Sequence, residues 1–557
     1  MIAPKSFNLL DHLWIDVVTL DGEREMHSLG SVLSEAHRIR SITAELPTVE
    51  FALHRLLLAV LYRAILVEDP LSIWRALWKR TEIPDEVQQY LADYTDRFDL
   101  LHPQQPFLQV ADLHAGSGEV SGLEKLIADV PNGAQYFTTR AAKHLWSISF
   151  AEAARWLVHA QAFDPSGIKS GAVGDPRVKG GKGYPIGTAW AGNLGGMLIE
   201  GNSLRETLLL NLRLENPGQP GVPWSADHDL AVWERPPLGA AEEKPEATTG
   251  PIPGRAPTGP ADLLTWPSRR IRLFHDADRV TGVLIANGDR LGPQNRFAGE
   301  PMTGWRLSEP QTKKFSTTVY MPREHSIEQS AWRGLGSLLP HAEHRRTTAA
   351  GSSGLPAPSL TWIQDLIGDP LPAEFLIRTR AVGMAYGSQS SVVNDIYDDT
   401  VITHASLLVS KPLQTCAVEA VVHCDSAVRT LADLARDLEV ASGGEGSASR
   451  VRALEQGYHL LDPSFRQWLL ALTASTDTDR ALFEWFDIAR RAIRSLADEL
   501  ITAAPPASWR GRADSRGEHI DVGVADRRFN FRLAEKLPRA STSTDSATGR
   551  ETHAVTL

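Results

Sequence analysis

Between Gly167 and Gly201, eleven of 35 residues are glycine: 167, 171, 174, 180, 181, 183, 187, 192, 195, 196 and 201. Each glycine in a helix interior costs about 1 kcal/mol relative to alanine. A run this dense therefore excludes regular helix and predicts loops that let another backbone come close. Such loops invite phosphate, but the known spacings are missing. Gly167-Ile168-Lys169-Ser170 lacks the glycine directly before the lysine of a P-loop, and Gly181-Lys182-Gly183 lacks the hydroxyl residue after it. Gly181, Gly183 and Gly187 miss the dinucleotide spacing by one.

On either side of this run the texture differs. Upstream, Phe7 to Val18 reads as a strand, Asp21-Gly22 as a turn, and Ser28 to Ile39 and Thr48 to Leu66 as helices. The second helix is apolar almost throughout, which predicts full burial. Leu204 to Leu212 is a short apolar element. Residues 236–267 and 347–358 read as flexible loops from their Pro, Ala, Thr, Gly and Ser content. Ile271 to Phe274, Val280 to Ile285 and Phe315 to Tyr320 are short strand candidates.

Beyond residue 400, apolar residues step by three and four. Val421, Cys424, Val428, Leu431, Leu434 and Leu438 do so, as do Leu482, Trp485, Phe486, Ala489, Ile493, Leu496 and Leu500. Ser449 to Leu472, divided near Asp462-Pro463, and Phe529 to Leu537 add further helices. The fold class is read as α+β. A large mixed α/β domain with glycine-rich loops covers residues 1–400, a C-terminal four-helix bundle covers 401–537, and a disordered tail covers 538–557.

The net charge of −11 rules out coating nucleic acid by bulk charge, so any such role needs a local basic patch. Two cysteines in 557 residues exclude a disulfide framework and a four-cysteine zinc site. Phe51 to Val67 is interrupted by His54, Arg55 and Arg63, too short and too charged to span a bilayer. The first residues lack the pattern of a secretory signal. A soluble, cytoplasmic protein without membrane contact is the expectation.

Catalytic chemistry finds little support. His341 and His344 sit among Glu343, Arg345 and Arg346, as on a solvated face, and Cys416 and Cys424 occupy helix-core spacing. No Gly-x-Ser-x-Gly elbow occurs. Asp398-Asp399 is a candidate metal pair for a nuclease, set against the plainer reading of acidic residues near a helix start. Binding remains. From Arg140 to Lys182 there are seven basic residues (Arg140, Lys143, Arg155, Lys169, Arg177, Lys179, Lys182) against three acidic ones (Glu152, Asp164, Asp175). That excess, interleaved with glycine, suits backbone amides and cations meeting phosphates. A flexible solvated loop accounts for the same composition.

Several segments, taken in order, resemble one family. They are Phe7-Asn8-Leu9-Leu10-Asp11 with Trp14-Ile15, Glu45-Leu46-Pro47, Arg97-Phe98-Asp99-Leu100 with His102-Pro103 and Pro106-Phe107-Leu108-Gln109, and Leu123-Glu124-Lys125-Leu126. The glycine run leading into Leu204-Arg205-Glu206-Thr207-Leu208 continues the series. The chain thus resembles the CasA family, the large subunit of the type I-E CRISPR surveillance complex Cascade, over about residues 5–535. The resemblance implies a non-catalytic subunit that reads the protospacer-adjacent motif (PAM) in double-stranded DNA, opens the duplex to start an R-loop and recruits a helicase–nuclease in antiviral defence. It implies as partners the other Cascade subunits with their guide RNA, target duplex DNA and that helicase–nuclease. A scaffold that binds proteins only is the alternative.

Position by position, the resemblance implies that Gln389, in Tyr386-Gly387-Ser388-Gln389-Ser390, is a wedge pushed into the duplex beside the PAM. Ser388 falls where relatives carry a PAM-touching Asn. The family's glycine loop maps onto residues 164–171, with Ser166, Gly167, Lys169 and Gly171 facing the minor groove. Arg296 stands at the place of a lysine finger. Phe137, Thr138, Thr139 and Arg140 fall in a loop toward the guide end and a neighbouring subunit. No structural zinc and no cofactor is expected.

Overall fold

The computed structural model describes residues 6–130, 145–216, 222–243, 255–339, 354–513 and 517–539. The chain divides into two compact units, Met1–Val409 and Ser410–Leu557. Helices and strands are mixed in the first, and helix dominates the second.

Helix Pro47–Ala64 runs through the core of the first unit. Proline stands in its first turn, where the missing N–H is no loss. Phe51, Leu53, Leu57, Leu58, Val60 and Leu61 are all buried, so the helix is enclosed on nearly every side. It packs against helix Phe150–Phe163, helix Pro260–Leu264 and strand Leu376–Tyr386. One charge inside it reaches the glycine-rich run. Arg55 donates two hydrogen bonds to Glu300 at 2.8 and 2.9 Å, and the same carboxylate accepts from Trp190 Nε1 at 2.6 Å. Both charged partners are buried, so removing either strands the other at a cost of about 3–5 kcal/mol.

Leu376–Tyr386 is the central strand of a three-stranded antiparallel sheet, flanked by Gly196–Glu200 and Val393–His404. It buries four successive residues, Ala381 to Met384, where a strand with one solvated face would alternate, so both of its faces are covered there. Leu376–Tyr386 and Val393–His404 form one long hairpin. This element escaped the sequence reading, which saw only its tip. A second sheet centres on Ile15–Thr19, with Arg24–His27 and Ile39–Ile42 beside it.

Several expected elements are corrected. The strand expected over Phe7–Val18 is confined to Ile15–Thr19, because Asn8 joins only an isolated bridge to Asp99. The helix expected over Ser28–Ile39 stops at Ser34, and Ile39 opens a strand. Phe315 ends helix Glu309–Phe315, and the strand there is Tyr320–Pro322. The stretch 236–267 contains helix Pro260–Leu264, held by backbone amides of Ala261 and Asp262 donating to Asp229 at 2.9 and 3.0 Å. Residues 244–254 and 347–353, parts of the two expected flexible loops, lie outside the described residues, as do 540–557 of the expected tail and His341 and His344.

In the second unit, helices Ser447–Leu470, Thr478–Thr502 and Val522–Lys536 each pack against the 32-residue helix Lys411–Ser442. Ser410, Asp477 and Asp521 cap three of these helices through their side-chain oxygens. The break expected at Asp462-Pro463 does not occur. Pro463 is accommodated inside Ser447–Leu470, and Arg466 bonds back to Asp462 at 2.8 Å across it. Among the described residues no helix is long and apolar enough to cross a membrane.

Candidate functional site

The tip of the long hairpin is a tight turn. Gly387 N donates to Val392 O at 2.9 Å, Ser390 N to Gly387 O at 2.9 Å, and Ser391 Oγ to Ser388 O at 2.9 Å. Inside that frame Gln389 (φ 56°) and Ser390 (φ 53°) both sit in the left-handed region. For residues with a Cβ this costs on the order of 1–3 kcal/mol each, and it persists only where the surroundings enforce it. The result is that Ser388 and Gln389 project into solvent. Among the described residues the Gln389 carboxamide makes no hydrogen bond.

Behind the tip the hairpin is fastened down. Tyr386 Oη donates to Phe163 O at 2.6 Å, at the C-terminus of helix Phe150–Phe163. That carbonyl is among those a helix end leaves without an internal partner. Burial lifts the Tyr386 phenol well above its ordinary pKa, so it stays a donor. Glycine is required at 192, since a Cβ there would meet Tyr386 Oη at 2.3 Å. Further down, Arg380 forks onto Asp398 at 2.7 and 2.8 Å and reaches Glu50 at 2.7 Å. Asp398 and Asp399 are therefore not near a helix start, as expected, but neighbours on a strand with side chains on opposite faces. Asp399 accepts from Ala331 N at 2.7 Å. Adjacent strand carboxylates facing apart, one of them spent on Arg380, make a poor metal pair.

Phe163 leads directly into the glycine loop. Asp164 closes the helix and takes Lys169 Nζ and Arg269 Nε, each at 2.5 Å. Burial pushes the Asp164 carboxyl up, but these two cations outweigh it and hold the pKa below the usual value. Arg269 also donates to the carbonyls of Asp164, Pro165 and Gly187, stitching the loop to strand Arg269–His275. The expectation that Lys169 offers its ammonium outward is corrected: the side chain is only 13% exposed and points at Asp164. Ser166 is buried as well.

The loop and the hairpin tip meet across one cleft of about 310 Å³. Ser166, Gly167 and Lys169 line it from the loop and Ser391 and Val392 from the hairpin, with Glu124 and Leu126 also in the lining. Gly167 faces the hairpin, a Cβ there lying 3.9 Å from Ser391 Cβ. Of the expected residues, Ser166, Gly167 and Lys169 line this cleft, while Gly387, Ser388, Gln389 and Ser390 precede its hairpin wall and do not line it. Gly171 continues the loop, its N donating to Gly181 O at 3.1 Å. Arg296 does not line this cleft. It is half-buried in its own segment, Nε donating to Gly292 O at 3.2 Å. Phe137, Thr138, Thr139 and Arg140 lie outside the described residues.

Sequence reasoning missed the fasteners: Tyr386 as a tie, and Asp164 with Arg269 as the brace of the loop. The Arg269-Arg270 pair inside an apolar strand was the available signal, since buried arginines demand partners. Among the described residues no three His, Cys, Asp or Glu side chains gather as metal ligands.

The family model described as CRISPR-associated protein Cse1 matches residues 8–496. The crystal structure of Thermobifida fusca Cse1 is similar at 43% identity and a TM-score of 0.85, covering 96% of this chain and 99% of that one. Cse1 from Acidimicrobium ferrooxidans is similar at 29% identity and a TM-score of 0.78, covering 96% and 98%. A CRISPR-associated protein CasA/Cse1 of Thermus thermophilus is 33% identical over 348 residues, a match spanning 60% of this chain and 61% of that relative.

Proposed function

The chain belongs to the CRISPR-associated Cse1 family, and from that premise we propose that it is the large, non-catalytic subunit of type I-E Cascade. In this reading it recognises the PAM in duplex DNA, separates the first base pairs and receives the helicase–nuclease. The observation that carries the reading is the exposed, backbone-strained Gln389 at the tip of a hairpin whose next residues, Ser391 and Val392, line one cleft with the glycine loop. A planar amide with no partner of its own stacks at a broken base step and bonds the edges exposed there. The loop brings backbone at Gly167 to the minor groove, with Ser388 and Ser390 flanking the wedge.

In the same reading Lys169 holds the loop's shape through Asp164, while Arg296 enters the narrow, electronegative minor groove. Phe137 to Arg140 meet the guide end and a neighbouring subunit, and residues 401–537 act as a four-helix bundle. Because the minor groove distinguishes A·T from G·C poorly, several related PAMs are accepted. The protein works in the cytoplasm, with no metal or cofactor.

The experiment is R-loop formation on linear duplex by guide-loaded Cascade carrying Gln389→Ala. Slowed opening with PAM binding retained supports the wedge, and an unchanged rate overturns it. A protein-only scaffold is the second reading, favoured by the net charge of −11. It requires Cascade to bind target DNA equally well without this subunit.

A further inference from the structure

Just past the glycine loop, strands Lys169–Ser170 and Lys182–Gly183 form a short hairpin. Its chain returns through the tight turn Lys179-Gly180-Gly181-Lys182. Gly180 (φ 57°) and Gly181 (φ 71°) are both left-handed, as a two-residue hairpin turn of this hand requires. Lys179 N donates to Lys182 O at 3.1 Å and Lys182 N to Lys179 O at 3.2 Å. The two lysines are therefore a directly opposed, hydrogen-bonded pair, with side chains on one face and Cα atoms about 5.5 Å apart.

Like charges in that position destabilise a hairpin. Nothing among the described residues relieves them. Neither ammonium has an ion pair among the described residues, and the nearest acid in sequence, Asp175, is taken by Arg177 at 2.9 Å. Both lysines are exposed, and so is Tyr184 (54%), with Gly183 buried between Lys182 and Tyr184. Alternation places Tyr184 on the face of Lys182. Lys169, paired with the buried Gly183, takes the other face and turns inward to Asp164. The hairpin thus uses one lysine as an internal brace and presents two to solvent as an unneutralised pair beside an aromatic ring.

We propose that Lys179 and Lys182 clamp one backbone phosphate of the target duplex, with Tyr184 against the adjoining sugar. The proposal deepens the reading of this surface as a DNA interface and rests on it. A phosphate oxygen between the ammoniums turns their repulsion into two attractions. The contact carries no sequence information, because phosphates position and bases specify.

The test uses guide-loaded Cascade with the full-length chain, and matched duplexes bearing a correct or a scrambled PAM, titrated across a salt series. Losing one phosphate contact makes the slope of log K against log[salt] shallower by about 0.9, or about fivefold weaker binding at roughly 0.15 M salt. Lys179→Ala with Lys182→Ala should do this equally for both duplexes and leave the PAM preference intact. The same double variant should not lower the melting temperature of the free protein, and Lys179→Arg with Lys182→Arg should restore binding. An unchanged slope, or weakening confined to the correct PAM, overturns the clamp. Absence of PAM preference in the unsubstituted complex instead sinks the proposed function, while the salt slope still reports whether the clamp exists.

Discussion

Tyr386 Oη donates to Phe163 O at 2.6 Å, tying the hairpin that ends in Gln389 to the helix that opens the glycine loop. This hydrogen bond is one direct tie between the two halves of the site. Tyr386→Phe leaves a buried carbonyl unpaired, at a cost of about 1–3 kcal/mol. The melting temperature should fall by a few degrees. R-loop formation should slow more than PAM-duplex binding does, since the ring remains in place and only the tie is lost. Equal losses in both would make Tyr386 a simple stability residue.

The strain at Gln389 separates fold from function. Glycine accepts φ 56° without penalty, so Gln389→Gly should stabilise the free protein by roughly 1 kcal/mol. Under the wedge reading the same change abolishes the amide and slows duplex opening about as much as Gln389→Ala. Thermal denaturation and an R-loop assay on the same preparations check both halves. A glycine variant that is more stable and fully active contradicts the wedge.

Asp164 carries two cations in a buried site. Asp164→Asn removes the charge that both require, and should destabilise the first unit by about 3–5 kcal/mol. Lys169→Met should be milder, because Arg269 still satisfies the carboxylate. If Lys169→Met nevertheless abolishes DNA binding at full stability, Lys169 contacts DNA directly. Urea denaturation beside a gel shift distinguishes these outcomes.

Two buried imidazoles make stability pH-dependent. Burial lowers His54 to about 4 and His159 to about 3, from an ordinary 6.5, although each keeps a hydrogen bond, His54 to Glu50 O and His159 to Thr48 Oγ1. The unfolded chain takes up these protons near 6.5 and the folded protein does not. Stability is therefore complete above 6.5 and is lost as pH falls toward the folded values, by up to about 1.4 kcal/mol per pH unit for each histidine. Melting temperatures measured from about pH 7.5 down to about pH 5 should decline on this account, and His159→Gln should flatten the decline. A flat profile in the unsubstituted protein contradicts it.

What could be read in advance follows from how local each signal is. Helix Pro47–Ala64 and the helices after Lys411 announce themselves through apolar spacing alone. The long hairpin does not. Its central strand buries Ala381 to Met384 in succession because both of its faces are covered, a fact about partners far away in sequence. Arg269 and Arg270, inside an apolar strand, demand partners, but only the fold names them as Asp164 and Asp289, at 2.5 Å each. Gln389 was located through family resemblance. From the residues alone it is a turn glutamine, and only the backbone angles mark it as held under strain. Lys169 shows the converse: a basic residue in a glycine loop reads as a phosphate ligand until its carboxylate partner is visible.

The central claim is that this subunit reads the PAM, and a gel shift tests it most directly. Guide-loaded complex, with and without this protein, is titrated against matched duplexes bearing a correct or a scrambled PAM at one fixed salt concentration. The account predicts that preference for the correct PAM appears only when the protein is present. Equal preference without it would contradict the account, leaving a scaffold or a recruitment platform in its place.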